Sequence, residues 1–138
     1  MEISAHIVSG ACEHDVRVRS GRVTRQIPVP SKASGTGSAI NGGELLMAAL
    51  ATCYCNDLYR EAARLGVDIT ACEVVATAQF DGVGRGAENI VYAARVESNA
   101  SSAQIEQLLS ETDGRAEIHN TLRSGCPVQR IAWSESTG

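Results

Sequence analysis

Cys12, Cys53, Cys55, Cys72 and Cys126 are the residues of this 138-residue chain best suited to covalent chemistry. Two of them stand close together in "NGGELLMAALATCYCND", and a Cys-x-Cys pair could be a metal clip, a redox pair or two unrelated packing residues. Helix geometry separates them. At about 100° per residue, Cys55 points roughly 200° away from Cys53, so an unbroken helix excludes a bridge between them and makes a two-sulfur metal clip equally awkward. Cys53 shares a polar stripe with Asn56, Asp57, Arg60, Glu61 and Arg64, whereas Cys55 faces Leu58, Tyr59 and Ala62. Cys53 sits where an apolar helix turns polar and is the candidate reactive thiol. Cys55, Cys12 and Cys72 read as small packing residues, the usual habit of free cysteine. His119 and Asn120 fall near the end of a second helix, where an imidazole is more often structural than a ligand. A metal site from Cys53, His119 and Cys126 has no recognisable ligand spacing.

A thiol reacts as its thiolate, and an unperturbed cysteine near pKa ~8.5 is mostly protonated at neutral pH. Cys53 lies too far into its helix to use that helix's N-terminal dipole, which acts within the first turn. A cation is therefore needed, and Arg17 or Arg19 could serve, although an arginine on an outward strand face is usually just solvated.

The elements that must position these groups follow from patterning. "HDVRVR" alternates, Ser20-Gly21 turns the chain, and "RVTRQIPVP" returns as the second arm of a β-hairpin. Pro28, Pro30 and a Ser/Gly cluster end that strand in a loop. Asn41, followed three residues later by Glu44, forms a capping-box pattern, so the helix is expected from near Gly42 to a cap at Gly66. Its first turns, "ELLMAALAT", are apolar all round and call for cover that a partner subunit could supply, leaving Cys53 in a pocket at the seam. "DITACEVVATAQFD" and "IVYAARVES" form a second hairpin, joined by "GVGRGAEN", a hairpin turn rather than a phosphate loop because it leads into a strand. Ser101 and Gln104 open an amphipathic second helix ending near Gly114, and "VQRIAW" is expected to close the chain as a strand.

The length and the 43% hydrophobic content fit one α+β domain over residues 1–138. A net charge of −4 without a basic run argues against nucleic-acid binding. No stretch resembles a signal peptide or a membrane span, and an odd number of cysteines fits reduced thiols better than a disulfide framework. The expected compartment is the cytoplasm.

The stretch "NGGELLMAALATCYCNDLYREAARLGVDI" resembles the central helix of the OsmC/Ohr family: Glu44-Leu45-Leu46, alanines at 48 and 49, Cys53-Tyr54, and an exit from Ala63 to Val67. The order of elements is similar over nearly the whole chain. The resemblance implies the OsmC-like α+β fold: N-terminal hairpin, long central helix, central hairpin, second helix and terminal strand, in an intertwined homodimer. It also implies cysteine-based reduction of organic hydroperoxides, no bound cofactor or metal, and an external dithiol reductant, lipoyl-type in some members. Family members of the Ohr type activate the thiol with an arginine positioned by a glutamate ten residues before the cysteine. Here Gly43 holds that position, Glu44 lies nine before, and "GACEHD" carries no arginine, which leaves Glu44 as a possible activating residue and Arg17 as a possible thiolate partner. For the family's resolving cysteine, "CPVQ" points to Cys126. The register of "AEIHNTL" instead places Ala116 there, and the register is the harder match to obtain by accident.

Overall fold

The computed structural model describes residues 1–11 and 13–133, so Cys12 lies outside the described residues. The chain divides into two compact units, Met1–Gly42 with the segment from Val128, and Gly43–Pro127.

In the first unit, alternating sequence builds an antiparallel sheet in the order β1 (Ile3–Gly10), β2 (Glu13–Ser20), β3 (Val23–Ile27). The expected hairpin is β2–β3, closed at Ser20↔Val23 around Gly21, whose φ of 58° suits a residue without a Cβ. β1 is an addition to the expected hairpin, paired with β2 from Ile3↔Ser20 to Gly10↔Glu13. Pro28 cannot donate to a ladder, and β3 stops at Ile27.

In the second unit, α1 (Gly42–Leu65) runs to Gly66 at φ 68°. There Val67 N–H reaches Ala62 O at 2.9 Å and Gly66 N–H reaches Ala63 O at 3.3 Å, the paired bonds of a Schellman ending. β4 (Ala71–Gln79) and β5 (Glu88–Glu97) form the expected second hairpin. On α1, Tyr54, Leu58 and Ala62 repeat every four residues and are buried with Val67, Leu108 and Ala116, against Val74, Tyr92 and Val96 of the sheet.

The region after α1 and the hairpin departs from expectation in two places. α2 (Ser102–Arg115) starts with the expected capping box at Ser101 and Gln104, but His119 and Asn120 belong to a separate helix beyond its end. Ala116 is extended and fully buried, and a separate helix, α3 (Glu117–Ser124), begins after it. Asn120 Nδ2 donates to Gly114 O at 3.1 Å and Arg123 Nη1 to Asp113 O at 3.2 Å, so α3 supplies partners for carbonyls at the end of α2. The expected terminal strand at "VQRIAW" is not formed: among the described residues the sheets are β1–β3 and β4–β5. The segment does not alternate, with Gln129 and Arg130 adjacent and Ile131, Ala132 and Trp133 adjacent, and a strand exists only where another edge satisfies its backbone. No helix among the described residues is long and apolar enough to cross a membrane.

Candidate functional site

The polar stripe of α1 carries two buried carboxylates among exposed Asn56, Arg60 and Arg64. Asp57 and Glu61 are only 4% and 2% exposed. Glu61 is met by Arg64 Nε at 2.5 Å, Arg60 Nε at 3.4 Å and Arg115 Nε at 3.7 Å, and Arg64 also pairs with Glu111 of α2. Three guanidinium groups thus compensate one buried carboxylate and hold it well below the usual range, Arg64 contributing most.

Cys53 lies one turn before this cluster. Its half-buried Sγ is 3.7 Å from Asp57 Oδ2 and 3.8 Å from Glu117 Oε2. Arg60 Nη1 pairs with Asp57 Oδ1 at 2.8 Å and reaches Glu117 Oε1 at 3.9 Å, so one guanidinium spans both carboxylates. The backbone N–H of Ile118, in the first turn of α3, also faces the sulfur. Burial is the main cause raising the thiol above its ordinary pKa. The Ile118 N–H opposes it, and the charges of Asp57 and Glu117 raise it further. Burial also raises the Asp57 carboxyl, with Arg60 opposing. Cys53 is therefore a protonated thiol that donates toward carboxylates, with a helix N-terminus ready to receive negative charge on sulfur.

Each of the other sequence candidates has a setting of its own within its unit. Arg17 on β2 pairs with Asp15 at 2.8 Å in the first unit, and Arg19 pairs with Glu2 at 2.8 Å. Glu44 is exposed in the first turn of α1, about 13 Å along the axis from Cys53 at 1.5 Å per residue. Cys126 is exposed beyond Gly125, which caps the C-terminal end of α3, whereas Cys53 meets the N-terminal end; eight residues of helix separate those ends by about 12 Å. Ala116 is the residue that leads into the turn facing Cys53.

Several site residues were not singled out from sequence. Asp57 stands at i+4 from Cys53, a spacing that announces contact on a helix. Arg60 belongs to the same stripe, but its reach to Glu117 depends on α3 beginning at that residue, which no capping side chain marks. Among the described residues, the potential metal-ligand atoms that converge are those of Cys53, Asp57 and Glu117, all within 4.8 Å of one another, rather than those of Cys53, His119 and Cys126. Arg60 already engages both carboxylates.

Cys55 and Cys72 are not separate packing residues as the sequence suggests: both are half-buried, and their sulfurs are 2.9 Å apart. His119 is 3% exposed and packs edge-on against Tyr92 with ring centroids 4.5 Å apart, and neither ring nitrogen has a hydrogen-bond partner. Together with Leu50, Ile90, Tyr92, Leu122 and Arg123 it lines a pocket of about 400 Å³.

The sequence profile described as "OsmC-like protein" matches residues 35–130. No curated protein matches the chain. Among solved structures, the chain is similar to an OsmC-like protein from Mycoplasma pneumoniae (19% identity, 89% of each chain covered, TM-score 0.60). It is also similar to an OsmC-like protein of unknown function from Vibrio cholerae (14% identity, 88% of this chain and 93% of that one, TM-score 0.64). A third is an organic hydroperoxide resistance protein from Elizabethkingia anophelis with crystallant-derived thiocyanate bound (19% identity, 89% of each chain, TM-score 0.60). At these identities the likeness establishes the fold, an OsmC-like α+β architecture.

Proposed function

Because this chain belongs to the OsmC-like protein family, we propose that it is a thiol-dependent peroxidase that reduces organic hydroperoxides through Cys53. The observation that carries this reading is the setting of the Cys53 sulfur, against two carboxylates and at the N-terminus of α3. The name of the Elizabethkingia relative supports the substrate class. Asp57 accepts the thiol proton as general base while sulfur attacks the terminal oxygen of the hydroperoxide. The O–O bond breaks, the alkoxide takes the proton back from Asp57 and leaves as the alcohol, and Cys53 becomes a sulfenic acid. An external dithiol then displaces water from that sulfenic acid to give a mixed disulfide, and its second thiol releases Cys53 and leaves as the oxidised dithiol. The peroxide gains the two electrons that the dithiol loses. Arg60 limits the repulsion between the Asp57 and Glu117 charges on either side of the sulfur.

The working form is a homodimer of a cytoplasmic protein. Leu45, Leu46 and Met47 are only half-buried and Ala48 and Ala49 are exposed, an apolar collar that a second copy would cover. The test is organic hydroperoxide consumption with a dithiol, compared with hydrogen peroxide and with Cys53→Ser. Turnover that needs Cys53 and prefers the organic substrate supports the proposal. Absence of turnover with any dithiol would overturn it.

A second reading, binding of an apolar small molecule without peroxide chemistry, is favoured by one observation. The pocket beside Leu50 and Tyr92 contains a buried imidazole with both nitrogens unpartnered. Saturable binding of an apolar ligand that His119→Phe weakens, in a protein inactive toward hydroperoxides, would select it.

A further inference from the structure

We propose that Cys55 and Cys72 form a second redox site, a dithiol that closes reversibly to a disulfide joining α1 to β4. The two thiols come from elements 17 positions apart in sequence, and their sulfurs lie 2.9 Å apart. A disulfide bond is about 2.05 Å long, so closure asks for an approach of roughly 0.9 Å. Two thiolates bound to one tetrahedral zinc at about 2.3 Å would stand roughly 3.8 Å apart, and the present spacing is too short for that arrangement.

The surroundings favour exchange chemistry. Cys55 is pushed up to about 11, first by its hydrogen bond to Cys72, then by burial and by charge on Cys72. The Tyr59 hydroxyl also faces the Cys72 sulfur. Either sulfur of the pair can act as the donor, so either can open the exchange and the other close the bond. Tyr59 is 46% exposed and both cysteines are only half-buried, which leaves an approach from solvent. Cys53 lies on the opposite helix face with carboxylate partners of its own, so this pair is chemically separate from it.

The oxidant is a low-molecular-weight disulfide. One cysteine of the pair attacks one sulfur of that molecule and forms a mixed disulfide, its proton passing to the first departing thiolate. The other cysteine then attacks the protein sulfur of that mixed disulfide, its proton passing to the second departing thiolate. The protein loses two electrons and the small disulfide becomes two thiols.

The experiment equilibrates the whole chain with oxidised and reduced glutathione, alkylates remaining thiols under denaturing conditions and maps peptides, in wild type and in Cys53→Ser. The expected result is a Cys55–Cys72 linkage in both proteins and a rise in Tm of about 10 °C on oxidation, reversed by dithiothreitol and absent in Cys72→Ala. Cys55 and Cys72 recovered as free thiols under conditions that modify exposed Cys126 would overturn the proposal. So would a dominant linkage to any other cysteine. If Cys72→Ala does not fold, the peptide map of the other two proteins decides the matter alone.

Discussion

Cys53 Sγ and Asp57 Oδ2 face each other across 3.7 Å, one turn apart on α1, and the contact makes the cysteine a hydrogen-bond donor. The same carboxylate that adds to burial in keeping the thiol protonated is placed to remove its proton during attack. Asp57→Asn separates the two effects. With a raising charge gone, alkylation of Cys53 at neutral pH should become roughly threefold to tenfold faster. Hydroperoxide consumption should fall roughly tenfold to a hundredfold, the general base being lost. Both rates moving together would show that Asp57 acts only through the charge it places near sulfur.

Burial, and after it Arg123, holds the His119 imidazole below its ordinary range. The unfolded chain, with a histidine near pKa ~6.5, therefore protonates first as pH falls, so stability declines from about pH 6.5 downward until the folded ring also protonates. Glu61, lowered chiefly by Arg64, and Asp113, lowered chiefly by Arg123, have the opposite charge but act on the same side of the pH scale. Their contribution is present above their unfolded values near ~4 and is lost as pH falls through the lower folded values. Tm measured against pH should show two declines, and His119→Phe should remove the upper one.

The apolar collar on the first turns of α1 predicts a dimer that persists at low micromolar concentration in sedimentation. A folded monomer at that concentration would contradict it.

Cys126 lies past the far end of α3 from the end that meets Cys53. Cys126→Ser should leave steady-state turnover with an external dithiol within about twofold of wild type, since a disulfide needs Cα atoms within about 7 Å. A tenfold or larger loss, with a Cys53–Cys126 cross-link in wild type, would restore a two-cysteine cycle.

How far the sequence disclosed this arrangement depended on the range of the signal. The extent of α1, the divergence of Cys53 and Cys55, and the capping box at Ser101 are local, and each stands in the structure where its pattern placed it. β1 carries alternation, but Ile3, Ile7 and Val8 remain exposed, so no buried face set its pattern apart. Gly114 marks the α2 side of the break at Ala116, but no capping side chain marks the start of α3. Glu117 and the Ile118 N–H reach Cys53 only because of that break, and the pairing of Cys55 with Cys72 needs the packing of α1 on β4. Those contacts join residues far apart in sequence, and periodicity does not encode them.

The central claim, that Cys53 is the thiol that attacks peroxide, is tested most directly by trapping its first product. Reduced protein is mixed with one equivalent of an organic hydroperoxide in the presence of dimedone, and the modified peptide is mapped. The account predicts a sulfenic-acid adduct on Cys53, formed as peroxide disappears and absent in Cys53→Ser. An adduct confined to another cysteine, or peroxide loss that continues undiminished in Cys53→Ser, would contradict it.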